Sequence, residues 1–129
     1  MERLKEYIIM EVIKAYTDIE QSKKLAEFLP LESADMHCFV ADSLEKQEIN
    51  YAIRCGTPIV KTDIPCWSLV ALLNVINDDY YTTLYHDGVA WNVEAIHHDN
   101  VKDKHNTYAN TQVDACYDLI LKIKNSYNI

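Results

Sequence analysis

The chain has 129 residues, of which 49% are hydrophobic and 25% charged. That composition excludes a disordered chain, and the length fits one domain, 1–129. Twelve Lys and Arg stand against 20 Asp and Glu, a net charge of −8, which argues against a nucleic-acid backbone or an anionic membrane as the main partner. With 2 glycines the chain has no Gly-rich phosphate loop.

Residues 2–16 place Leu4, Tyr7, Ile8, Val12 and Ala15 at helical spacing, so a first helix is predicted there, with 1–17 as an N-terminal extension. Glu11 cuts the early apolar run, and no run is long enough to span a membrane. A cytoplasmic protein is expected. Thr17 with Glu20 and Asp18 with Gln21 have capping-box spacing and open a second helix over 19–29, which Pro30 ends. A single helical turn is predicted near 32–36.

His37–Ala41 and Ile49–Arg54 read as strands, separated by a charged loop, and Ile59–Lys61 as an edge extension. Asp63 is placed as an N-cap and Pro65 in the first turn of a helix over 65–76. That helix is apolar almost all round, so it is expected to be buried on all sides. Tyr81–His86 and Val89–His97 form a predicted hairpin across Asp87-Gly88. A two-residue loop would pair His86 with Val89 and Leu84 with Trp91. Leu84, Val89, Trp91, Val93 and Ala95 then share one face, and Tyr81, Thr83, Tyr85, Asn92 and Glu94 the other. Residues 98–110 read as a polar loop. Thr111 with Asp114 starts a last helix over 111–125. The expected fold is α+β: one small, mostly antiparallel sheet with the 81–97 hairpin, packed by about four helices.

Chemistry-bearing residues are scattered. Cys38, Cys55, Cys66 and Cys116 form no C-x-x-C pair and read as free, buried thiols. Cys66, placed near a helix N-terminus, is with His97 or His98 a first suspect of an enzymatic alternative that uses a Cys- or metal-based site. The adjacent His97 and His98 point to opposite faces of a strand, and His37, His86 and His105 do not complete a metal-ligand spacing. No catalytic residue, metal or cofactor is implied. Residues 62–101 contain six acids and no Lys or Arg. The candidate interaction surface is therefore Tyr81 and Tyr85 with Asp78, Asp79 and Glu94, where tyrosines offer large contact area and acids attract a basic partner.

Three blocks resemble a known group. They are Glu20–Met36, Ile64–Leu73 with its Pro-x-Trp-Ser-Leu-x-Ala-Leu-Leu run, and Val113–Ile120. In this order they resemble small proteins of gut Bacteroidales genomes and of their phages or mobile elements. The segment before Ile19 and the stretch Glu45–Arg54 depart from that pattern. The resemblance implies no activity or ligand; it implies an accessory role in a prophage or mobile element. The leading expectation is a non-enzymatic, acidic protein-interaction module with an unknown protein partner. The alternatives are a small Cys- or His-based enzyme or ligand-binding protein and an acidic nucleic-acid mimic. A homodimer through the hairpin edge is a further expectation.

Overall fold

The computed structural model describes residues 14–43, 48–55 and 63–127, with side chains for 14–38 and 63–127. Among the described residues the fold has three α-helices and two separate three-stranded antiparallel sheets, where one sheet was expected. The elements in chain order are α1 (Ile19–Ala26), a 3₁₀ turn (Leu31–Ser33), β1 (Met36–Ser43), β2 (Glu48–Cys55), β3 (Ile64–Cys66), α2 (Leu69–Asn77), β4 (Tyr80–His86), β5 (Trp91–His97), β6 (Lys104–Ala109) and α3 (Gln112–Tyr127).

The predicted 2–16 helix falls mostly outside the described residues. Its end does not form: Tyr16 makes an isolated antiparallel bridge with Ser68. The adjoining Thr17 donates its N–H to the Trp67 carbonyl at 2.9 Å, and its hydroxyl accepts from the Trp67 N–H at 3.1 Å. Those partners outweigh helical spacing. Asp18 caps α1 as expected, in a full capping box with Gln21.

The first sheet has the order β2-β1-β3. Its register runs from Met36↔Cys55 to Ser43↔Glu48 on one side of β1 and from Met36↔Cys66 to Cys38↔Ile64 on the other. Pro65 therefore lies in a strand, not in the first helical turn. β3 is an edge strand, where a residue without an N–H costs no ladder bond. Helix α2 starts later, with Ser68 as N-cap: its hydroxyl accepts from the Ala71 N–H at 3.2 Å. Asp63 is not the cap. Asp35 fixes Ser68 in turn, accepting from its N–H at 2.9 Å and from its hydroxyl. Nor is α2 buried all round, since Val70 is 65% exposed. The expected edge extension at 59–61 lies outside the described residues.

The second sheet is the meander β4-β5-β6. The hairpin register differs from expectation by two residues: His86 pairs with Trp91, Leu84 with Val93 and Thr82 with Ala95. The connection is the four-residue loop 87–90. Asp87 builds it, accepting from the Val89 and Ala90 N–H groups at 2.8 Å each, and Gly88 takes a left-handed φ of +96°. A shift of two keeps every strand side chain on its face, so the division into faces survives. Val89 alone leaves the apolar set and is exposed in the turn. Strand β6 replaces the predicted loop. Its inward positions are His105, Thr107 and Ala109, too polar to give a hydrophobic alternation.

Helix α3 covers the inner face of this sheet. Val93 and Ala95 pack with Val113, Cys116, Leu119 and Ile120, joined by Leu25 of α1 and Leu72 and Ile76 of α2. Trp67 is fully buried at the centre and donates from Nε1 to Ser33 Oγ at 3.0 Å. A second tie joins α1 to α3. Lys14 Nζ lies 2.7 Å from Asp114 and 3.1 Å from Asp18, and Gln21 donates to the same Asp114 oxygen at 2.8 Å.

Candidate functional site

The outer face of the second sheet is open. Period-two alternation turns Tyr81, Thr83 and Tyr85 of β4, Asn92, Glu94 and Ile96 of β5, and Lys104, Asn106 and Tyr108 of β6 away from α3. The register sets them in rows: Tyr81–Ile96–Lys104, Thr83–Glu94–Asn106 and Tyr85–Asn92–Tyr108. Tyr108 is 71% exposed, Tyr81 68%, and Tyr85 and Ile96 41% each. No described element covers them.

Neighbours hold these side chains in place. Tyr85 Oη donates to Glu94 Oε1 at 3.3 Å, across the strands on a diagonal. The carboxylate in turn raises the Tyr85 pKa, because ionising the phenol would set two negative charges side by side. The Tyr81 ring lies 4.4 Å, centroid to centroid, from the His98 ring. Between the Tyr81–Ile96–Lys104 row and the Thr83–Glu94–Asn106 row an open hollow of about 470 Å³ is lined by Glu94, Ala95, Ile96, Lys104, His105 and Asn106. Ala95 and His105 form its floor, since their side chains turn inward.

Tyr81, Tyr85 and Glu94 thus share one face, as expected. Asp78 and Asp79 do not lie on it. They are exposed in the turn that enters β4, at the Tyr81 end, where the Asp79 carbonyl accepts from the His98 N–H at 2.9 Å. Tyr80 belongs to the opposite face and is buried. Sequence reading missed Tyr108, Ile96, Lys104 and Asn106. The available signal was the alternation Lys104-x-Asn106-x-Tyr108, which the polar composition concealed.

Behind the sheet lies a polar cluster. Tyr80 Oη is 3.0 Å from Asp103 Oδ2 and 2.9 Å from Tyr127 Oη. Tyr127 donates to the same Asp103 oxygen, and His105 Nε2 is 2.7 Å from Asp103 Oδ1. The Tyr127 hydrogen bond is the largest influence that holds the Asp103 carboxyl below its ordinary range, with His105 and Tyr80 adding to it. Burial, then the bonds to Tyr127 and Asp103, pushes the Tyr80 phenol well up.

The residues of the enzymatic alternative are not brought together. Cys66 is fully buried, its thiol donates to the Ile64 carbonyl at 3.6 Å, and burial raises its pKa. A nucleophilic thiol needs the reverse shift. His97 accepts the Asp99 N–H at Nδ1, 3.1 Å away, and sets its ring edge-on to Tyr80, while His98 turns outward. Among the described residues, no three His, Cys, Asp or Glu side chains are placed to hold a metal ion. No described helix is long and apolar enough to cross a membrane. No family model, curated protein or solved structure matches the chain.

Proposed function

We propose that the protein is a non-enzymatic interaction module that docks a protein partner on the outer face of β4, β5 and β6. One observation carries this reading: Tyr81, Tyr85, Tyr108 and Ile96 are exposed together on a sheet face whose other side is anchored by α3. Rigid aromatics on a backed surface lose little entropy when covered, which favours them at interaction sites. The nucleic-acid mimic is the weaker alternative, because a mimic needs rows of carboxylates and Glu94 is the single acid among the outward positions. The resemblance to Bacteroidales mobile-element proteins supports an accessory role for the module, exercised in the cytoplasm.

The test is affinity capture from the native host with the wild type and with Tyr81→Ser, Tyr85→Ser and Tyr108→Ser combined. Circular dichroism first confirms that the variant is folded. A stoichiometric partner held by the wild type and lost by the variant is the expected result. A partner set unchanged by the substitutions overturns the reading.

A further inference from the structure

We propose that the occupant of this face is an extended basic segment of the partner, with an arginine or lysine side chain seated in the hollow against Glu94. This rests on the docking reading above and adds the chemistry of what docks. Glu94 stands between two tyrosine-bearing rows, and its Oε1 is held by Tyr85 while Oε2 has no hydrogen bond among the described residues. The carboxylate is thus fixed in direction with acceptor capacity left over. The Asn106 side-chain amide, across the hollow, makes no hydrogen bond among the described residues and supplies a second acceptor. Ile96 gives the aliphatic stem of a long cationic side chain an apolar wall. Tyr85, on the side of Glu94 away from the hollow, steadies that carboxylate through its hydroxyl.

The surroundings have an acidic excess, with Lys102 as the exposed cation of the adjoining turn. Asp78, Asp79 and Asp99 are exposed near the Tyr81 end, and none of them, nor Glu94, forms an ion pair among the described residues. A second copy of this chain would bring like charge against like charge, and so would a nucleic acid. Lys104, on the far wall, is the single cation among the outward positions. It opposes an incoming cation, so its removal must strengthen binding.

The probe is a fluorescein-labelled octa-arginine peptide, followed by anisotropy at about 150 mM salt, where general charge attraction is screened beyond roughly 8 Å. Saturable binding is expected. Glu94→Gln should weaken it about tenfold through the loss of the ion pair. Glu32→Gln makes the same charge change at an exposed site outside the second sheet and should have little effect. Lys104→Met should tighten binding, whereas Lys23→Met on α1 should not. Equal effects of the Glu94 and Glu32 substitutions, or no binding at all, overturn the proposal. If the peptide fails while the tyrosine variant still loses a captured partner, the face docks a partner of other chemistry. Only the basic-segment inference then falls.

Discussion

The phenol of Tyr127, the last residue of α3, donates to the carboxylate of Asp103 in the turn between β5 and β6. Through Asp103 it also reaches Tyr80 and His105, so one carboxylate fastens the end of the helix, the first residue of β4 and the start of β6. The latch holds the meander flat against α3 at the end of the sheet that carries Tyr81. Asp103→Ala should cost about 1–3 kcal/mol, since it leaves the buried Tyr80 hydroxyl short of a charged acceptor. Tyr80→Phe should cost about 1 kcal/mol. Urea unfolding measures both, and hydrogen exchange should show faster opening of β6 in the Asp103 variant than in the wild type.

Acid should find the same carboxylates. Asp103 is held below its ordinary pKa chiefly by Tyr127. For Asp114, burial raises the pKa, but the bonds from Lys14, Gln21 and Thr111 outweigh it and the net shift is down. Groups with depressed folded pKa values stabilise above the unfolded value of about 3.9, and that contribution is lost as pH falls through the folded value. The urea midpoint should therefore hold from neutral pH to about 5 and fall below about 4. The Asp114→Asn variant should start lower at neutral pH and fall less. An identical fall in both proteins would show that Asp114 is not part of the transition.

Asp118 has the opposite sign. Partial desolvation at this exposed position and the neighbouring Asp114 charge one turn earlier raise its pKa. A raised folded pKa stabilises below the unfolded value and is lost as pH rises through the folded one. Asp118→Asn should accordingly raise the melting temperature at pH 7 and leave it unchanged near pH 3. Scanning calorimetry at the two pH values decides it.

Trp67 gives the largest expected loss. Trp67→Ala should cost about 3–5 kcal/mol, the range for deleting a fully buried aromatic. Ser33→Ala removes the acceptor of its indole N–H and should cost about 1–2 kcal/mol. If Ser33→Ala proved as damaging as Trp67→Ala, the hydrogen bond and not the packing would dominate this site.

Three thiols should be inert in the native state. Cys38, Cys66 and Cys116 are buried, and burial pushes the Cys116 thiol up to about 12. Iodoacetamide at pH 8 should leave all three unmodified until urea unfolds the chain, read residue by residue by mass spectrometry. Rapid native alkylation of Cys66 would revive a nucleophilic role.

What could be read from residues was what local physics decides. The Asp18–Gln21 capping box, the Asp87-Gly88 reversal and the inner and outer faces of the hairpin all follow from spacing. The loop length did not follow, because Asp87 closes a longer turn through two amides that no dipeptide rule anticipates. Pro65 was read as a helix start, since the edge position that lets it sit in β3 is a property of the sheet. Strand β6 was invisible because α3 covers its inward His105 and Thr107, so tertiary packing stands in for the missing apolar period. That loss concealed a third of the candidate face, Lys104, Asn106 and Tyr108, and with it one wall of the hollow.

The ties of the segment around α1 also bear on when this protein can fold. Thr17 meets Trp67 fifty positions later, and Lys14 meets Asp114 one hundred positions later. Closing such long loops costs entropy that only contacts with distant sequence return. A chain made only as far as β5 can dock Thr17 on Trp67 and α1 on β3, but it lacks the Asp114 anchor and has no helix to cover the back of its second sheet. Folding of the second sheet must therefore wait for α3, and the tyrosine face is assembled last.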